Sequence, residues 1–185
     1  MDTPVLLLHV CCAPCAGGCV DRLLKEEKRQ VVLYYSNSNI DTKEEFEYRL
    51  TSVRKLAELY GLELIVDEYD HTSWLNHISG SESEPERGAR CPLCFGWSLK
   101  RAAEYAASRG MNFTTSLTVS PHKNSKVIFE VGRRFENFEE WDFKKRDGFK
   151  RSRDIAKANN FYLQNYCGCE FGKAGSPAAA ERHSR

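Results

Sequence analysis

This chain has no long apolar run. The longest, from Val5 to Leu8 and on through Val10, is far too short to cross a bilayer, so no membrane association is expected. No basic segment leads into an apolar stretch with a cleavage site, so no secretion signal is expected and the expected compartment is the cytoplasm. Neither sign of charge is in excess. The formal net charge of +1 excludes a protein that binds polyanions through bulk charge alone. Internal repeats and low-complexity linkers are also missing. The 185 residues therefore read as one domain over 1–171, with a flexible C-terminal tail over 172–185 that is rich in Ala.

What the chain does have is cysteine. Its eight cysteines fall into three clusters: Cys11-Cys12-Ala13-Pro14-Cys15 with Cys19 following, Cys91-Pro92-Leu93-Cys94, and Cys167-Gly168-Cys169. A reducing cytoplasm disfavours structural disulfides, so thiols in this number point to metal binding or catalysis. Each cluster has Pro or Gly beside it, which places the thiols in turns. Turn-borne thiolates suit soft metals and redox chemistry.

Periodicity supplies the scaffold. Val5 to Val10, Val31 to Tyr35, Leu62 to Val66 and Phe113 to Val119 read as strands. Ala16 to Arg29, Thr42 to Tyr60, Cys94 to Arg109, Asn124 to Val131 and Ser152 to Ala158 read as helices, with Phe46, Leu50, Val53, Leu56 and Leu59 taken as one apolar face. Asp67 to Arg90 reads as irregular. Strands alternating with helices predict an α/β fold. It should be a single Rossmann-like (HUP-type) domain with a mostly parallel sheet flanked by helices. Such sheets bind ligands beyond the carboxyl ends of their strands, and Cys11 and Cys12 follow strand one directly, so the metal site is expected there.

Side chains alternate along a strand, so Cys11 and Cys12 cannot both be buried on one face, but at a strand end they can diverge around a metal. A C-x-x-C brings two sulfurs to one centre. Cys11, Cys12, Cys91 and Cys94 together make a four-thiolate set, for an iron–sulfur cluster or a structural zinc. Cys15, at a helix N-terminus, is expected to be acidic, and Cys19 to be a core residue. Cys167 and Cys169 can close a small strained ring, and so act as a labile redox couple, or they can chelate one ion.

Charge is unevenly spread. Between Trp141 and Lys157 lie Lys144, Lys145, Arg146, Lys150, Arg151, Arg153 and Lys157, interleaved with aromatics that begin at Phe135 and end at Phe149. That mixture can neutralise phosphates and stack bases, or it can be a solvated charged face over core aromatics.

Five segments, in this order, are similar to the cobalamin-independent epoxyqueuosine reductases, the QueH family. They are Leu7-Leu8-His9-Val10-Cys11-Cys12-Ala13-Pro14-Cys15, Tyr35-Ser36-Asn37-Ser38-Asn39-Ile40, Gly88-Ala89-Arg90-Cys91-Pro92-Leu93-Cys94, Asp142-Phe143-Lys144-Lys145 and Tyr166-Cys167-Gly168-Cys169. The resemblance runs from about Leu6 to Phe171. It implies reduction of the epoxide of epoxyqueuosine at the tRNA wobble position to give queuosine, without cobalamin. It further implies a 4Fe-4S cluster on Cys11, Cys12, Cys91 and Cys94, and a redox-active pair of Cys167 and Cys169.

Removing an epoxide oxygen to leave an alkene takes two electrons and two protons. Among side chains only a thiol pair supplies electrons, and an external donor, flavodoxin- or ferredoxin-like, must restore them. A second iron near Cys167 and Cys169, with Cys15 or Asp142, is the other arrangement the spacing allows. Asp142, His9 and His122 are candidate proton donors. Tyr35 and Asn37, at the end of strand two, are candidates for substrate binding, and Lys144, Lys145 and Arg151 for phosphate contacts on a tRNA with a queuosine-type anticodon. Two rival readings differ in chemistry. An ATP-dependent iron–sulfur tRNA-modifying enzyme of the pyrophosphatase-loop type needs S-G-G-x-D-S after strand one, and Ala16-Gly17-Gly18-Cys19-Val20-Asp21 lacks it. A zinc-binding RNA adaptor would be colourless, whereas an iron–sulfur protein is brown.

Overall fold

A computed structural model describes residues 4–173. Four parallel strands form one sheet in the order β3-β2-β1-β4, with β1 at Leu6–His9, β2 at Val31–Tyr35, β3 at Leu64–Val66 and β4 at Asn112–Thr115. Every residue of β1 is buried, as expected of an inner strand of a parallel sheet covered on both faces. Alternation divides the core. Leu6 and Leu8 pack with Leu33 and Tyr35 under α1 (Ala13–Lys25) and α2 (Lys43–Tyr60). Leu7 and Phe113 pack on the opposite face with Leu99 and Ala102 of α4 (Arg90–Ser108) and Ile128 of α5 (Ser125–Gly132).

The boundaries differ from the predicted ones for local reasons. The Thr42 side chain caps α2 by accepting from Glu45 N at 3.2 Å, and Gly61 ends the helix in the left-handed region at φ 62. Leu59 is 50% exposed rather than on the apolar face, because thirteen residues of helical rotation from Phe46 carry it off the buried stripe. Strand four stops at Thr115, whose side chain accepts from Leu117 N at 3.1 Å and turns Ser116–Val119 into a 3-10 turn. The stretch after Asp67, predicted as irregular, contains α3 (His71–His77), which Asp70 caps by accepting from Ser73 N at 3.0 Å. Helix α4 begins at Arg90, earlier than predicted, with Pro92 tolerated in its first turn. Cys91 and Cys94 are therefore helical neighbours at i and i+3, not turn residues.

Helix α6 (Gly148–Ala158) crosses α1 at close range. A Cβ on Gly18 would sit 2.5 Å from Ser152 Oγ and 2.6 Å from Gly148 O. Ser152 Oγ accepts from Gly18 N at 2.9 Å and donates to Cys15 O at 3.0 Å. The glycines that superficially suggest a phosphate loop are thus used in helix packing. Helix α7 (Glu170–Lys173) extends past the predicted start of the tail, and 174–185 lie outside the described residues. Among the described residues no helix is long and apolar enough to cross a membrane.

Candidate functional site

The carboxyl ends of β1 and β4 open onto a cavity of about 990 Å³. Six of the thiols line it: Cys11, Cys15, Cys91, Cys94, Cys167 and Cys169. All eight cysteines are free thiols. Cys11 follows the end of β1. Cys12 is the extended N-cap of α1 at φ −169, and Pro14 and Cys15 lie in that helix's first turn. The Sγ atoms of Cys11, Cys12 and Cys15 lie within 4.8 Å of one another, a group that could hold a metal ion. Ser116 fastens the group to the end of β4: its Oγ accepts from Cys11 N at 3.1 Å and donates to Cys11 Sγ at 3.3 Å.

Three thiols this close cannot all ionise without a cation between them. Hydrogen bonds from Cys12 and Cys15 hold Cys11 well below the ordinary thiol range, aided by Lys123. Its hydrogen bond to Cys11 is the largest influence pushing Cys12 up to about 12. Cys15 is also pushed up, first by Cys11 and then by Cys12. The expectation that a helix N-terminus would acidify Cys15 is therefore corrected, because the neighbouring thiolate outweighs the helix dipole.

Across the cavity, Cys94 packs with Trp74 of α3 and with Cys167, Cys169 and Phe171. Burial pushes Cys94 up to about 12. Cys91 Sγ accepts from Arg87 N at 3.2 Å. The Cys167 and Cys169 Sγ atoms are 3.6 Å apart across Gly168, whose φ of +129 few side-chain-bearing residues adopt. Buried Arg49 holds this turn. It donates to Cys167 O at 3.2 Å and Tyr166 O at 3.4 Å, lies 5.0 Å over the Tyr166 ring and is paired with Glu45 at 2.7 Å. The hydrogen bond from Cys169 lowers Cys167 to about 6, and the same bond raises Cys169. The structure thus brings the four cysteines predicted as ligands to one end of the sheet, three of them onto the cavity wall. The closest trio, however, includes Cys15. This many soft donors around one hollow fits a thiolate-bound metal.

The remaining predicted residues divide. Asn37 lines the cavity and donates to Val10 O at 2.9 Å. Tyr35 does not: its hydroxyl donates to Phe46 O at 3.0 Å within the core. His9 lines the cavity but is held between Thr115 Oγ1 at 2.9 Å and Ser36 O at 3.0 Å, and burial lowers its pKa. His122 lines the exposed side. Asp142 does not line the cavity, and its Oδ1 accepts from Lys144 N at 3.2 Å. Lys144 Nζ is tied to Lys123 O at 2.6 Å and Ser125 Oγ at 2.7 Å. Arg151 pairs with Glu26 and with Asp21 on α1, away from the thiols, and Lys145 is exposed.

The sequence reading passed over two residues. Lys123 lines the cavity, and thiolates of both groups, Cys11 and Cys167 among them, raise its pKa. Its signal was the Ser120-Pro121-His122-Lys123 run at a strand end. Gln164 donates from Nε2 to Cys12 Sγ at 2.7 Å, while its Oε1 is buried without a partner. Only its position three residues before Cys167 hinted at this.

Known proteins resemble this chain in sequence along nearly its whole length. The family described as Epoxyqueuosine reductase QueH matches residues 6–175. A protein of that name from Haemophilus influenzae is 35% identical over 97% of this chain and 76% of its own length. One from Acinetobacter baylyi is 36% identical over 90% of this chain and 79% of its own. One from Dehalococcoides mccartyi is 35% identical over 95% of this chain and 99% of its own. With thiols converging at the strand ends and a match over almost every described residue, the chain belongs to the epoxyqueuosine reductase QueH family.

Proposed function

We propose that this protein reduces the epoxide of epoxyqueuosine at the tRNA wobble position to give queuosine, without cobalamin, in the cytoplasm. The observation that carries this reading is the convergence of six thiols on one cavity, with the Cys167–Cys169 pair facing the strand-end group. Cys11, Cys12, Cys91 and Cys94 would hold a 4Fe-4S cluster, with Cys15 as the spare thiol of the strand-end trio. That cluster would supply single-electron transfer from an external flavodoxin- or ferredoxin-like donor.

The protein's own groups account for the rest. The epoxide loses its oxygen as water and becomes an alkene, gaining two electrons and two protons. Cys167 and Cys169 give up two electrons as their sulfurs join in a disulfide, which the donor then reduces. One proton comes from the Cys169 thiol. The second comes from Nε2 of His122 in its protonated form, with Nδ1 on the Arg87 side at 3.4 Å; His122 lines the cavity where Asp142 does not. Arg49 holds the pair in place through the Tyr166 and Cys167 carbonyls, and Asn37, whose amide nitrogen is tied to Val10 O, offers its amide oxygen to the substrate. A second iron on Cys167 and Cys169 is the competing arrangement at this position.

The test is anaerobic protein with a low-potential donor and tRNA carrying epoxyqueuosine, followed by mass analysis of the digested nucleosides. Loss of one oxygen from the modified base without added cobalamin or ATP is the expected result. An untouched epoxide with iron-replete protein and several donors refutes the reading. Colourless protein containing zinc favours the RNA adaptor.

A further inference from the structure

Helix α6 carries most of the basic strip, and its two faces differ. Ser152, Ile155 and Ala156 pack toward α1, and Arg151 reaches the carboxylates of Glu26 and Asp21 there. Lys150 and Asp154 pair with each other at 3.4 Å. Phe149 and Arg153, at i and i+4, lie along the edge of that packed face and line the thiol cavity. Phe149 is 39% exposed, and Arg153 is exposed and makes no ion pair among the described residues. Leu163, 45% exposed, and the exposed Arg87 line the same cavity from other segments. The other aromatics of the strip are packed inside: Phe143 is 1% exposed, Phe135 meets Phe113 edge-on, Phe138 packs tilted against Phe113, and Trp141 stacks over Phe143.

We infer that the Phe149–Arg153 face of α6, with Leu163 and Arg87 across the mouth, is where a single-stranded RNA loop docks. This rests on the tRNA reading above. A cavity of about 990 Å³ has room for a splayed base, and the nucleotides on either side of that base would lie against the rim. Phe149 offers a flat, exposed ring for a neighbouring base, and Leu163 an apolar shelf. Arg153 offers its guanidinium group to one flanking phosphate, and Arg87, whose Nη2 lies 3.4 Å from His122 Nδ1, offers its other N–H groups to the next. Complementarity favours a polyanion: Arg87, Lys123 and Arg153 line the cavity without a paired carboxylate, Arg49 being taken by Glu45 and Arg90 by backbone carbonyls, and among the described residues Glu86 is the one carboxylate in the lining. The basic residues that sequence reasoning favoured, Lys144 and Arg151, already serve partners within the chain.

The test is fluorescence anisotropy of a labelled RNA hairpin with a single-stranded seven-base-type anticodon loop, across a salt series, on iron-replete protein. Phe149→Ala should weaken binding by about 5- to 150-fold, the range measured for loss of one base–aromatic stack, and Phe149→Trp should restore it. Arg153→Gln should reduce the slope of log affinity against log salt by about 0.7 to 0.9. Arg54→Gln, the same charge change on exposed α2, is the control and should alter neither. Iron content should be unchanged in every variant. If the unaltered protein binds the hairpin no better than a duplex of equal length, the RNA reading fails and this inference with it. If it prefers the hairpin but Phe149→Ala and Arg153→Gln bind as tightly as the control, the docking face alone is refuted.

Discussion

The strand-end thiols and the C-terminal thiols face one another across the same cavity, yet they are held in opposite ways. Cys11, Cys12 and Cys15 sit where β1 turns into α1, fastened by Ser116 and by α6 through Ser152. Cys167 and Cys169 sit on an irregular segment whose conformation depends on Gly168 and on one buried arginine, Arg49. The first group is built into the junction of β1 and α1, whereas the second is suspended beside it. A group that must hold a metal through many turnovers gains from rigid elements, and a pair that must close and reopen a bond gains from a segment that is not part of the sheet.

The largest effects should fall on the strand-end group. Cys11→Ala or Cys12→Ala should abolish iron binding and visible absorption, measured by metal analysis and spectroscopy after anaerobic purification. Full iron content in both variants would break the comparison. Next, Cys167→Ala or Cys169→Ala should abolish turnover while the visible absorption persists. Loss of that absorption in both would make the suspended pair a corner of the cluster instead.

Arg49→Met probes the suspension itself. Arg49 is 3% exposed and pairs with Glu45, so its removal leaves that carboxylate with only the Tyr162 hydroxyl and should cost about 3 kcal/mol of stability in denaturant unfolding. Turnover should fall further than iron content. Equal loss of both would mean that Arg49 supports the whole fold and not the pair.

The smallest expected difference is in reactivity. In metal-free, reduced protein, Cys167 is lowered to about 6, so its thiolate should be half formed near that pH and its alkylation rate level by neutrality. An unperturbed thiol, at about 8.5, would still be accelerating at that point. Peptide mapping of alkylated protein over pH 5 to 9 separates the two, and a Cys167 rate still rising above pH 8 would contradict the lowered value.

Much of the scaffold was legible because it rests on local patterns. The buried run of β1, the Thr42 cap and the Gly61 stop of α2 each declare themselves within a few residues. Helix α3 did not, because its seven residues are too few to show a period and its stability comes from burying Trp74. The start of α4 was hidden because a C-P-x-C run reads equally well as a turn or as a helical first turn. The site was legible as a set of thiols and not as an arrangement. Spacing alone pairs Cys12 with Cys15 and Cys91 with Cys94, but it does not tell which thiol carries the charge.

By itself, then, the sequence determined an α/β chain with its reactive sulfurs gathered in three clusters, the first at a strand end, since side-chain periodicity and thiol chemistry are local properties. Tertiary structure decided which charges are available. It bound Arg151 to Glu26, tied Lys144 into the Lys123 loop, moved Asp142 off the cavity and brought Lys123 and Gln164 to the thiols. It also turned Phe149 and Arg153 outward while burying the aromatics beside them. The reason is physical: whether a lysine is a phosphate ligand or a structural tie depends on the nearest acceptor in space, and that acceptor is often a hundred residues away along the chain.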